Sequence, residues 1–163
     1  MITAVLAVAL ASCTSANNPK AGMKNTITQQ EANERAERYT RDAVSALLPA
    51  PQLEVLSHFE DSPCVDPTDH GPKGRVIASR SYWLNDIPID RQAEYVDALV
   101  EWWSKHDFAV LTDGRPNETY VLVENRRDGF RMSVQQTVVG PKRLSLGATS
   151  PCVWPNGTPE PKP

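Results

Sequence analysis

The sequence predicts an α+β fold: an antiparallel sheet of about five or six strands with two helices packed on one face, in the order α-β-β-α-β-β-β-β. Three observations predict it. Apolar residues recur at helical spacing near 28–47 and again near 90–106. Short runs between and after these segments alternate apolar and polar side chains, as half-buried strands do. Asp113-Gly114 and Asp128-Gly129 break the second half into short pieces, which suits hairpins better than long crossovers.

The first helix opens on a capping box. Thr28 accepts from the backbone of Glu31, and Glu31 reaches back to Thr28. Ala32, Ala36, Tyr39, Ala43 and Leu47 form one apolar stripe, Glu34–Arg38 and Glu37–Arg41 pair on the wet side, and Pro49 and Pro51 end the helix. Residues 53–59 read as a half-buried strand with Leu53, Val55 and Phe59 inward and Glu54, His58 and Glu60 outward. A proline-containing loop follows over 60–73. Residues 74–84 hold Val76, Ile77, Tyr82 and Trp83 and read as a second strand. The second helix starts near Pro88 or Asp90 and ends at His106, with Ala93, Val96, Val100 and Trp103 as its stripe and Leu99 and Trp102 beside it. Four strands close the chain: 108–111, 119–124, 130–135 and 144–148. In the third of these, Phe130, Met132 and Val134 alternate with Arg131, Ser133 and Gln135, so one sheet face is wet.

Residues 1–12 carry no charged side chain, and their apolar run is too short to span a bilayer, which needs about 20 residues. The run ends in Leu10-Ala11-Ser12-Cys13, which resembles the lipobox of bacterial lipoproteins. In that family the leader is cut off before the cysteine, whose sulfur takes a diacylglyceryl group. Two acyl chains anchor stably where one is marginal, at ~0.8 kcal/mol per buried CH₂. The resemblance implies a signal peptide over 1–12, lipidation at Cys13, and a protein held on the outer face of the bacterial cytoplasmic membrane. Signal peptides usually begin with Lys or Arg, and 1–12 contain neither. Polar residues 13–26 then read as a flexible tether, 27–154 as a single α+β domain, and 155–163 as a disordered proline-rich tail.

With Cys13 acylated, an exported domain has two thiols left, and it most simply pairs Cys64 with Cys152. The bridge closes a loop of about 88 residues, worth ~4–5 kcal/mol by chain entropy and ~2–4 kcal/mol in typical measurements. Two free buried thiols are the alternative. The whole arrangement resembles a group of small secreted actinobacterial lipoproteins of uncharacterised function. It includes the lipobox, Cys64 in a short acidic loop, a Val76…Tyr82-Trp83-Leu84 strand, a helix ending in Trp103 with a strand from Phe108, and a terminal Pro151-Cys152. That group implies no reaction. One departure is His106-Asp107, where the group leads one to expect glycine; aspartate tolerates a left-handed backbone at small cost.

A net charge of −3 and the absence of a Lys/Arg stripe argue against nucleic acid as a partner. Residues 58–70 hold two histidines and four carboxylates. A divalent metal could use His58, Asp61, Asp66 and His70, and calcium could use Glu60, Asp61, Asp66 and Asp69. The spacing matches neither a zinc helix motif nor an EF-hand, and an acidic surface loop is the plainer reading. Trp102 is either the flank of a wide buried helix face or a stacking surface for sugar or peptide. His106 reads as a helix cap, Arg126 and Arg127 as a solvated turn. Asn117 and Asn156 spell glycosylation sequons, which a bacterial lipoprotein has no use for. No Gly-x-Ser-x-Gly or phosphate loop is present, and no cofactor is implied.

The functional expectation is a lipid-anchored, non-enzymatic binding or interaction module. Its partner would be an envelope protein, a glycan or a small ligand. A metal-dependent envelope hydrolase built on the 58–70 loop and an assembly factor for a membrane partner are the alternatives.

Overall fold

The computed structural model describes residues 24–65 and 71–159. Cys13, the leader, most of the tether, and Asp66, Asp69 and His70 of the acidic loop lie outside the described residues. The chain forms helix α1 (Gln29–Val44), strands β1 (Gln52–Pro63) and β2 (Val76–Asn85), and a 3₁₀ turn at Ile89–Arg91 leading into helix α2 (Gln92–Lys105). Strands β3 (Phe108–Asp113), β4 (Tyr120–Asn125), β5 (Arg131–Gln136) and β6 (Leu144–Thr149) follow. The six strands make one sheet in the order β1-β2-β6-β5-β4-β3, every neighbouring pair antiparallel. The α+β class and the antiparallel sheet with two helices therefore hold.

β6 lies between β2 and β5 and is buried along most of its length. Gly147 belongs there because a Cβ would sit 2.6 Å from Ser81 Oγ and 3.3 Å from the Arg80 carbonyl oxygen. Residues Ala78, Leu84, Val121, Val123, Met132, Val134, Leu144, Leu146 and Ala148 of the sheet share one core cluster with Ala32, Ala36 and Ala43 of α1 and Val96, Leu99 and Trp103 of α2. Alanines along α1 allow its backbone to sit close to the strands. Tyr39 fits edge-on against Phe108 and Phe130, with ring centroids 5.4 and 5.5 Å away. The Trp103 indole N–H is satisfied by the Met132 sulfur at 3.3 Å.

The capping box forms as expected: Thr28 Oγ1 accepts from the Glu31 amide, and Glu31 accepts from the Thr28 amide. The helix end differs. α1 stops at Val44, short of Pro49, because the amides of Ala46 and Leu47 turn back to the carbonyls of Ala43 and Val44. This tight turn delivers Leu47 into the core, fully buried. In α2 the buried stripe is Gln92, Tyr95, Val96, Leu99 and Trp103. Ala93 is exposed, so the stripe is rotated from the expected one. Gln92 is held inside by two hydrogen bonds, to the Lys142 carbonyl and from Gln136, and this polar residue carries no hydrophobic signal in sequence.

Both ends of the domain extend further than the sequence suggests. Thr26 donates its amide to the Gly157 carbonyl, Gln29 donates to Pro155, and the Trp154 amide donates to Thr26 Oγ1. Residues 155–158 thus form a turn packed against the start of α1, where a disordered tail is expected from Pro155. Cys64 and Cys152 are joined in a disulfide across 88 positions, with Cα atoms 5.6 Å apart. The bridge ties the end of β1 to the segment that follows β6, beside the Val76–Val153 pairing.

Candidate functional site

β1 differs most from expectation, and its difference builds the site. It pairs with β2 as Leu53↔Leu84 and Val55↔Tyr82, but then as Ser57↔Ser81 and His58↔Arg80. Leu56 is the extra residue of a β-bulge. Because side chains alternate with a period of two, one extra residue exchanges the two faces beyond it. Leu53 and Val55 face α1 as expected. His58 and Glu60 then join them, while Phe59 turns to the opposite face and lies 54% exposed. β1 also runs on to Pro63, through residues expected to form a loop.

The result is a groove of about 950 Å³ between β1 and α1. Leu53 and Val55 supply an apolar floor, and Gln29, Gln30, Asn33, Glu34, Glu37 and Arg41 rise from the helix. The 155–156 turn closes one end. Asn33 ties the two walls together by donating to the carbonyls of Gln29 (3.0 Å) and Glu60 (3.1 Å). Its Oδ1 is buried and has no hydrogen-bond partner among the described residues.

A charged network lies deeper in the groove. Tyr82 donates to Glu37 Oε2 at 2.5 Å, and Arg41 Nε donates to Glu37 Oε1 at 2.5 Å. Arg80, only 8% exposed, donates to Glu60 Oε1 at 3.1 Å and stands 4.0 Å from Glu37. The edge of the His58 ring meets the Tyr82 ring at 5.2 Å. Burial pushes the Tyr82 phenol up, and its bond to the Glu37 carboxylate adds to this, bringing it to about 12. Burial alone would raise Glu37, but the hydrogen bonds from Tyr82 and Arg41 and the positive charge beside it leave its carboxyl below the usual range. The phenol therefore stays neutral and the carboxylate stays ionised near neutral pH, each committed to the other.

The other residues singled out in the sequence are dispersed. Asp61 is exposed on β1 beyond the groove, and Asp66, Asp69 and His70 of the 58–70 metal set lie outside the described residues, among which no three His, Cys, Asp or Glu side chains converge. Trp102 is half-buried against the core, and the His106 ring stacks on it at 4.1 Å, covering a face that a ligand would need. His106 is the C-cap residue of α2, and its Nδ1 lies 2.7 Å from the Trp102 carbonyl oxygen. Asp107 adopts a left-handed backbone, φ 63°, at the junction between α2 and β3. Arg126 and Arg127 lie in the β4–β5 turn, where Arg127 pairs with Asp107. Asn117 lies in the β3–β4 turn and Asn156 at the mouth of the groove.

Glu37, Arg80 and Tyr82 carry no motif that sequence reading could find. The only available signal was Leu56, an apolar residue out of step in an alternating strand. Among the described residues no helix is long and apolar enough to cross a membrane. Compared with protein-family models, with curated proteins and with solved structures, the chain finds no match.

Proposed function

We propose that this chain is a lipid-anchored binding module of the bacterial cell envelope, tethered through Cys13 and taking its ligand in the groove between α1 and β1. The observation that carries the reading is the state of the groove. Tyr82, Glu37, Arg41, Arg80 and Glu60 are bonded to one another, while Leu53, Val55 and the exposed Glu34 line the same groove and remain for a ligand to meet. The location rests on Leu10-Ala11-Ser12-Cys13 and on the likeness to small actinobacterial lipoproteins. The Cys64–Cys152 disulfide supports it, since such bridges persist in oxidising compartments. On this reading, both helices lean on the same face of the sheet and leave β1 overhanging as the outer wall of the site.

Expression of the full chain and of Cys13→Ser in a bacterial host tests the anchor. Intact mass of the membrane fraction is expected to show a chain beginning at a diacylglyceryl-modified Cys13, with Cys13→Ser lost from that population. An uncleaved, unmodified chain in the cytosol with free Cys64 and Cys152 thiols would overturn the reading.

A further inference from the structure

β1 is a twelve-residue strand at the end of the sheet, paired to β2 on one side. Along its other side, the Glu60 carbonyl accepts from Asn33. Proteins normally blunt so long an edge, because its unpaired N–H and C=O groups template another chain. Here the edge carries apolar surface as well: Val55 is 57% exposed, Leu56 40% and Phe59 54%. β3, the opposite edge, also exposes Val110 and Leu111, but it has six residues and does not line the groove.

We infer that β1 is a docking edge for an extended, basic peptide segment of a partner protein. The inference rests on the groove reading above and gives it a ligand class. A strand added to β1 would point every second side chain into the groove beside α1, toward Leu53 and Val55, and the others toward Phe59. Irregularities at Leu56 and again between Phe59 and Ser62 bend the edge and limit the paired length to a short segment. Charge selects the partner. Arg80, the cation deepest in the groove, is nearly buried and already paired with Glu60, whose side chain is 69% exposed. Glu34 on α1 and Asp61 on β1 are exposed and make no ion pair among the described residues. The groove lining holds three carboxylates, Glu34, Glu37 and Glu60, against the guanidinium groups of Arg41 and Arg80, with Asp61 beyond it on β1, so the excess charge that an incoming strand meets is negative and a segment alternating apolar with Lys or Arg fits both walls.

The purified full chain is titrated with an eight-residue peptide alternating valine and lysine, with its valine–glutamate counterpart, and with the lysine peptide N-methylated at alternate amides. Amide exchange at β1 is the readout. The lysine peptide is expected to slow exchange of the β1 amides not bonded to β2, and each control to bind about tenfold more weakly. Glu34→Lys with Asp61→Lys, both exposed, is expected to reverse the preference between lysine and glutamate. Equal binding of the two charge forms overturns the choice of partner. Full binding of the N-methylated peptide overturns strand addition while leaving the groove a binding site. β1 amides already protected in a free protein of twice the chain mass would show that a second copy covers the edge, which also overturns it.

Discussion

At the scale of single residues, one insertion and one hydrogen bond define the site. Leu56 reverses the parity of β1, so His58 faces Tyr82 across a rung of sheet, where strict alternation would have sent it to the other side. The Tyr82–Glu37 bond then fixes two protonation states. Tyr39 is held in the same way: burial and the bond it donates to Asp128 bring its phenol to about 12. A folded-state value above the ordinary 10.0 means that this stabilisation is complete below about pH 10 and is lost as pH rises through about 12. Spectrophotometric titration of the native protein should show late-ionising phenols, and Tyr39→Phe and Tyr82→Phe should each remove one of them. Glu37 has the opposite sign. Its depressed value gives stability that is present above the ordinary carboxylate value of 4.5 and is lost as pH falls through the folded-state value. In urea unfolding, Glu37→Gln should cost on the order of 1–2 kcal/mol at pH 7, and the difference from wild type should shrink as pH falls through the folded-state value. An undiminished difference in acid would mean that the loss came from packing.

At the scale of elements, the junction between α2 and β3 is the most instructive. The helix ends at His106, and Asp107 turns the chain with a left-handed backbone so that Phe108 enters the core, 3% exposed. An ordinary side chain in that conformation costs roughly 1–2 kcal/mol, and glycine avoids the cost. Asp107→Gly should therefore be neutral to slightly stabilising, up to about 1 kcal/mol after losing the exposed pairing with Arg127, while Asp107→Val should destabilise by more than 1 kcal/mol. Thermal unfolding of the two variants checks the order. The start of α1 was legible because Thr28 and Glu31 satisfy each other locally, three residues apart. Its end was not, because Leu47 leaves the helix in order to reach a core assembled from distant strands.

At the scale of the whole molecule, the disulfide and the 155–158 turn join the segment after β6 to the start of α1 and to β1. Cys152, Val153 and Trp154 bring the C-terminal segment back to Val76 and Thr26, at the end of the sheet where β1 stops and β2 begins. Leu48, Ile89, Val138 and Val139 lie exposed in connections at the opposite end, where β1 starts and β2 and β5 finish. Reduction, or Cys64→Ser with Cys152→Ser, should lower stability by about 2–4 kcal/mol in denaturant titrations with the sheet retained in far-ultraviolet circular dichroism. A loss below about 0.5 kcal/mol would show that the Val76–Val153 pairing already closes the loop. By itself the sequence determined the class of the fold, the capping box and the antiparallel second half, and it led one to expect the Cys64–Cys152 pairing. The first three follow from local spacing, whereas the pairing was an expectation that rested on setting Cys13 aside, with two free thiols as the alternative, and the structure joins Cys64 to Cys152. Tertiary structure alone decided the strand order, the face on which His58 and Phe59 lie, and the closure of Tyr82, Glu37, Arg41, Arg80 and Glu60 into one network. Those depend on register between segments far apart in the chain, and register is set by how the whole core packs.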